Sequence, residues 1–315
     1  MTRALVLGGG GLTGIAWEAG VLRGLRDGGH PVDEWDRVIG TSAGAFVGAR
    51  MLGDGLDALY AEQAADDTSE EEALVRELAG PLGRLALVAA RRRRLRWIPR
   101  LWIASIIVPA LVAARLRQRR LADLDAPPIS GGAPDPMLAR IGRIAVHART
   151  APETVWRRVV ATFLGPVTDY PERLIVTAID AVDGSLVVFD AGSGITLETA
   201  VAASGALPGV FPPVTIAGRP YIDGGMRSDT NCHLAAGHDE VLVLAPLGRA
   251  ALEGEITLLR DAGAAVTVVR PGAESRAVLG SEMGLLDPAR RVRSVRAGYD
   301  EGLAAARQLA RSRAA

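Results

Sequence analysis

The sequence predicts an α/β fold: a mostly parallel central sheet flanked by helices, with a mainly helical insertion. Three observations carry that prediction. The chain opens with strand, glycine turn and helix, and repeats the order at once. Apolar runs of strand length return after residue 174 and continue toward the C-terminal end. The stretch from Asp54 to Pro171 between them shows helix formers, arginines and a loop, with no strand pattern. Alternation of strands and helices is the mark of a sheet covered on its faces by helices.

Ala4 to Leu7 reads as a buried strand ending in Gly8-Gly9-Gly10-Gly11, and Leu12 to Leu25 as the helix after it, stopped by Gly28-Gly29. Arg37 to Ile39 is the next strand. It runs into Gly40-Thr41-Ser42-Ala43-Gly44 and a helix from Ala45 to Leu52. Thr68 and Ser69 each stand three residues before a glutamate, Glu71 and Glu72, a doubled capping signal for a helix start. Pro127 to Pro134 is loop by its prolines and glycines. Leu174 to Ala178, Leu186 to Phe189, Tyr221-Ile222, Glu240 to Ala245 and Ala265 to Arg270 are further strands, and Pro288 to Arg313 is a terminal helix. The expected organisation is a single domain, 1–315, containing the insertion 54–171.

Composition excludes several chemistries. All 36 basic residues are arginine, so no Schiff base, Ser-Lys dyad or P-loop lysine is available. Cys232 is the only cysteine, which rules out an intrachain disulfide and a CxxC metal site. His30, His147, His233 and His238 lack metal-site spacing, so no metal is expected. The formal net charge is zero, and nucleic acid is not an expected partner. The apolar start is too short for a signal peptide, which gives a cytoplasmic expectation.

Two readings are open for the first glycine run. Gly9-x-Gly11-x-x-Gly14 between strand and helix satisfies a dinucleotide fingerprint, with Asp33, Glu34 and Asp36 about twenty positions on. Those acids precede the second strand, however, whereas a ribose-binding acid should end it. The other reading is an oxyanion hole. Consecutive glycines aim backbone N–H groups at a developing negative charge, and the helix behind them adds its positive end.

Gly40-Thr41-Ser42-Ala43-Gly44 is a G-x-S-x-G between strand and helix. That sharp turn exposes a serine hydroxyl at the end of a sheet. A nucleophilic serine needs a base. His233 and His238 come late enough in the chain for a triad, but they sit in a short helical turn and its exit and read as structural or exposed. Asp223, in Tyr221-Ile222-Asp223-Gly224-Gly225, ends an apolar strand and has open space beside it. Burial can raise its pKa into a useful range.

With these residues in view the chain resembles the patatin-like phospholipases. Gly9-Gly10-Gly11-Leu12-Thr13-Gly14 is similar to the family's oxyanion motif, and Gly40 to Gly44 to its nucleophile elbow. Ala203 to Pro213 is similar to its A-S-x-x-[IL]-P-x-x-F-P-P segment, and Asp223-Gly224-Gly225 to its D-G-G motif. The resemblance implies a three-layer α/β/α fold, Ser42 as nucleophile, Asp223 as base in a dyad without histidine, and Gly9, Gly10 and Gly11 as the oxyanion hole. It implies acyl-ester lipids, mostly phospholipids and lysophospholipids, as substrates, with no cofactor. Thr13 departs from the pattern, since the family carries arginine or lysine there. A catalytically weak, lipid-binding member of the same fold is therefore one alternative, and a nucleotide-binding oxidoreductase using the first glycine run is another.

Ten arginines fall between Arg91 and Arg120, around the uncharged run Leu101 to Ala114. Fourteen helical residues span roughly 20 Å, short of a bilayer core of about 30 Å, and Pro109 interrupts them. The segment is expected either on an anionic membrane surface, peripheral to the inner leaflet, or as a buried helix with solvated flanks.

Overall fold

A computed structural model describes residues 1–67, 69, 73, 78, 132–249, 251–280 and 284–314. The helix start at Thr68–Glu72 lies largely outside the described residues. The arginine-flanked segment 91–120 and the first part of the Pro127–Pro134 loop lie wholly outside them.

Among the described residues eight strands form one mixed sheet: β1 Arg3–Leu7, β2 Arg37–Thr41, β3 Leu174–Asp180, β4 Leu186–Phe189, β5 Val214–Ile216, β6 Arg219–Asp223, β7 Glu240–Leu244 and β8 Ala265–Val269. Hydrogen-bonded neighbours run β5-β6-β3-β2-β1-β7-β8, with β4 also paired to β3. The central ladders β8-β7-β1-β2-β3 are parallel, and the pairings of β4, β5 and β6 are antiparallel.

The helices are α1 Gly11–Asp27, α2 Ala43–Gly53, α3 Leu56–Ala64, α4 Pro136–His147, α5 Glu153–Leu164, α6 Leu197–Ser204, α7 Ala251–Asp261, α8 Ala273–Leu279 and α9 Arg291–Ala314. Side chains of successive strand residues leave opposite faces. Leu5, Leu7, Leu242 and Leu244 therefore join one core, with helices α1, α2, α5 and α6. Ala4, Val6, Val241 and Val243 join a second, with helices α4 and α7. A strand buried on both faces reads as a continuous apolar run, as β1 and β7 do. The result is three layers, helix on sheet on helix. The described residues between 54 and 171 form helices α3, α4 and α5 and their connections, with no strand among them. Helix α9 crosses α1 at close range, because Gly20, Gly298 and Gly302 leave no room for a Cβ between the two backbones.

One feature of register brings the ends of β2 and β6 together. Strand β2 pairs with Leu174–Thr177 of β3, and β6 pairs with Ala178–Asp180. Strand β4 spans Val176–Ile179 and overlaps both, so it must occupy the other edge of β3. β2 and β6 therefore share one edge of β3 and run head to head. Thr41 lies opposite Thr177, and Asp223 opposite the next residue, Ala178.

Candidate active site

The chain leaves β2 after Thr41 and turns at once into α2. Ser42 makes that turn at φ 53°, ψ −114°, a left-handed conformation a serine adopts only under constraint. The constraints are visible. The Ser42 N–H donates to Ser204 Oγ at 2.8 Å. The Gly44 N–H donates to the Gly8 carbonyl at 3.0 Å, tying the turn to the first glycine run. A Cβ on Gly44 would overlap the Leu7 carbonyl, and one on Gly40 would lie 2.6 Å from Ala45 Cα, so only glycine fits at either position.

Because β2 and β6 meet end to end, the last residue of β6 lies beside this turn. The Ser42 hydroxyl donates to Asp223 Oδ2 at 2.8 Å. The other carboxylate oxygen, Oδ1, accepts the Gly225 N–H at 2.7 Å. Gly224 packs on Thr177, whose Oγ1 and carbonyl occupy the space a Cβ would need. Asp223 is 4% exposed. Burial pushes its carboxyl up to about 6, against the pull of the Gly225 N–H, the Ser42 hydroxyl and the charge on Arg249. A carboxylate that titrates near neutrality, hydrogen-bonded to a serine, can accept that serine's proton.

The first glycine run lies against the same turn. A Cβ on Gly9 would be 3.6 Å from Ser42 Cβ, and one on Gly14 would be 3.6 Å from Ala43 Cβ. The backbone donors divide into two groups. Gly8 N–H is held by the Leu244 carbonyl and by Glu18 Oε1, and Gly9 N–H by the Asp229 carbonyl at 2.7 Å. Gly10, Gly11 and Ala43 N–H groups meet no protein acceptor among the described residues. Behind the run, burial pushes the Glu18 carboxyl well above its usual range, against the pull of the Gly8 N–H. Thr13 is fully buried, and its N–H donates to the Leu285 carbonyl at 3.1 Å.

Several residues of the site carried no assigned role in the sequence. Ser204 closes α6 and holds the Ser42 backbone; its signal is a serine at the end of an apolar helix. Asn231 is fully buried at φ 50°, ψ 35°. Its side-chain amide donates to the Ser228 carbonyl at 2.9 Å and to Thr41 Oγ1 at 3.1 Å, with Thr177 Oγ1 and the Gly224 carbonyl each at 3.4 Å. Glu255 of α7 anchors the same loop through the Cys232 N–H at 2.9 Å and the Thr230 hydroxyl at 3.2 Å.

His233 is buried between Arg227 and Glu255, remote from any contact with Ser42. A guanidinium only donates, so His233 Nε2 accepts from Arg227 at 3.0 Å and Nδ1–H faces Glu255 at 3.2 Å. Burial opposes ionisation of Glu255, but hydrogen bonds from His233, Cys232 and Ser228 hold its carboxyl below the ordinary range. His238 Nδ1 meets the Ala235 carbonyl three residues back at 3.0 Å. Among the described residues there is no cluster suited to a metal ion.

A family model described as patatin-like phospholipase matches residues 5–236. No curated protein matches the sequence in a direct search. Among solved structures, VipD from Legionella pneumophila aligns at 13% identity and a TM-score of 0.42, covering 98% of this chain and 67% of that one. The type III effector ExoU aligns at 19% identity and a TM-score of 0.40, covering 98% and 53%. ExoU in its complex with SpcU, from Pseudomonas aeruginosa, gives 19% and 0.36, covering 96% and 52%. The chain spans about half the length of ExoU and two thirds that of VipD.

Proposed function

The chain belongs to the patatin-like phospholipase family, and from that we propose that it is a serine acyl-ester hydrolase of lipids, of phospholipase A or lysophospholipase type, working through a Ser42–Asp223 dyad. The observation that carries the reading is the 2.8 Å hydrogen bond from Ser42 Oγ to a buried carboxylate whose pKa is raised to about 6. Asp223 takes the hydroxyl proton as Ser42 Oγ attacks the ester carbonyl. The tetrahedral oxyanion is held by backbone N–H groups. Collapse expels the alcohol or lysolipid with a proton from Asp223 and leaves an acyl-serine. Water, giving its proton to Asp223, then hydrolyses the acyl-serine and restores both residues.

Of the three glycines proposed for the oxyanion hole, Gly9 already spends its N–H on Asp229, so Gly10 and Gly11 are the donors that support the role. The Ala43 N–H, on the residue after the nucleophile, is the third candidate. Gly40, Gly44, Gly224 and Gly225 support the reading by letting backbones approach where a side chain would collide or crowd. Thr13 supplies no charge to a headgroup. The single domain 1–315 with its insertion 54–171 belongs to the same proposal. So does binding of an anionic membrane surface by Arg91 to Arg120 from the cytoplasmic side. No helix among the described residues is long and apolar enough to cross a membrane.

The test is covalent labelling with a fluorophosphonate. Labelling of the wild-type chain and none of Ser42→Ala is expected. A folded wild-type chain that resists the probe would return the lipid-binding, non-catalytic reading. The oxidoreductase reading gains no support from the second strand, which delivers Ser42 where a ribose-binding acid should stand.

A further inference from the structure

Eight arginines of the described fold, Arg3, Arg23, Arg26, Arg50, Arg157, Arg219, Arg270 and Arg290, lie against carboxylates. Helix α4 and the residues just after it carry three that do not, as does α9 at Arg293, Arg296 and Arg307. Arg140, Arg143 and Arg149 are exposed, and none has a carboxylate partner among the described residues. There is no acid between Pro136 and Pro152. The same stretch exposes large apolar side chains: Met137 at 38%, Ile144 at 53% and Val146 at 47%. Val182, at 52%, sits in the β3–β4 turn against which α4 packs, since Gly142 rests on the Ala181 carbonyl. Four of the six exposed large hydrophobic residues described are therefore on α4 or on the turn it packs against.

At 100° per residue, Leu138, Ile141, Gly142 and Ala145 turn inward. Arg140, Arg143 and His147 occupy the middle of the outer face, with Met137 and Ile144 along one side and Val146 along the other. The acids that flank this stretch are already engaged. Asp135 caps α4 through the Met137 and Leu138 N–H groups, Glu153 accepts the Thr215 N–H, and Asp183 of the β3–β4 turn is held by Arg219. The location matters too. β3 runs parallel to β2, so the Ala181–Val182 turn lies at the end of the sheet that carries Ser42. Ala181 is three residues past Ala178, the register partner of Asp223, which is roughly 10 Å along a strand.

We propose that the outer face of α4 together with Val182 is a docking surface for an anionic lipid bilayer. Guanidinium groups without protein carboxylates match lipid phosphates, and the exposed apolar side chains on either flank of them match the boundary with the acyl region. A purely polar polyanion would use the arginines and leave the apolar side chains in water. The surface draws its meaning from the lipid hydrolase reading, but its test needs no turnover.

Ser42→Ala protein is sedimented with phosphatidylcholine vesicles and with vesicles containing one third phosphatidylglycerol, at low and at physiological salt. Binding to the anionic vesicles is expected, weakening with salt. Arg140→Ser with Arg143→Ser should lower the partition coefficient roughly 25-fold, at about fivefold per arginine. Ile144→Ser with Val146→Ser should lower it without changing the salt dependence. All four side chains are exposed, and thermal melting confirms that each variant is folded. No binding to anionic vesicles, or binding by both double variants equal to that of the parent chain, overturns the proposal. So does Arg140-dependent binding to duplex DNA with none to vesicles. Fluorophosphonate labelling of the parent chain is scored separately, so the surface and the hydrolase reading stand or fall apart.

Discussion

Asn231 donates to the hydroxyl of Thr41, the residue immediately before Ser42, while the same amide faces the carbonyl of Gly224, the residue immediately after Asp223. One buried side chain thus bridges the ends of the two strands that carry the nucleophile and its base. Asn231 holds a left-handed backbone conformation, so substitutions separate backbone from side chain. Asn231→Gly keeps the conformation and deletes the amide. It is expected to cost about 1–3 kcal/mol of stability by leaving buried polar groups unpaired. It should cost roughly 10- to 100-fold in kcat as Ser42 and Asp223 drift from alignment. Asn231→Ala should be less stable than the glycine variant by about 1–2 kcal/mol, because alanine resists that backbone conformation. Denaturant melts and kcat measured on a soluble ester check both.

Asp223 should impose its titration on the reaction. The base must be ionised, so kcat/KM for a soluble ester is expected to rise with pH through about 6 and level off above it. Asp223→Asn should lower kcat by about 100- to 10,000-fold and remove that rise. A profile whose lower limb persists in Asp223→Asn would assign the titration to another group.

The same carboxyl makes a stability prediction of opposite sign. Its folded pKa lies above the unfolded one, so the folded state holds the proton more tightly. The native state is then favoured at low pH and loses that advantage as pH rises from about 4 through about 6. Asp223→Asn removes the buried charge. It should melt higher than wild type at pH 8, by roughly 1–3 kcal/mol of stability, with the difference shrinking toward zero at pH 4.

Ser204 holds the Ser42 N–H, and that bond helps keep the elbow in its left-handed conformation. Ser204→Ala leaves the partly buried Ser42 N–H unpaired, at a cost of about 1–3 kcal/mol. The rate of fluorophosphonate labelling should fall with it. Ser204→Thr keeps the hydroxyl and should restore more of the rate than of the stability, since the site is fully buried and has little room for a methyl group.

Gly44→Ala is expected to abolish folding rather than reduce activity, because the new methyl group would overlap the Leu7 carbonyl on β1. Gly55→Ala is the control. Gly55, unlike Gly44, has a positive φ but open space around it, so only backbone strain of about 1–2 kcal/mol should appear. Soluble yield and circular dichroism distinguish the two.

Much of the site was legible because glycine and strand signals are local. Gly40 to Gly44 declared a turn that only glycines permit, and Asp223 declared a strand end. Strand β6 begins at Arg219 with a proline second, so only Tyr221-Ile222 of it stood out as strand. β5 is three residues long and left no pattern. The antiparallel edge was equally silent, since strand direction depends on partners far along the chain. Ser204 and Asn231 act through contacts 162 and 190 residues away, to the Ser42 N–H and the Thr41 hydroxyl, and sequence spacing contains no measure of such distances. The engagement of Gly9 by Asp229 is of the same kind, because four glycines in a row do not say which N–H groups are already occupied.

The meeting of β2 and β6 along a single edge of β3 makes the gap between hydroxyl and carboxylate a matter of counting. A slip of one residue in either strand would shift its end by about 3.3 Å and turn the terminal side chain to the other face of the sheet. No rotamer change could recover a 2.8 Å contact from that. The loops joining these strands carry no such demand, because they set neither register. Change in chain length over evolution, or by engineering, is therefore confined by this arithmetic: segments can lengthen between the strands, while within Arg37–Thr41, Leu174–Asp180 and Arg219–Asp223 the count is fixed.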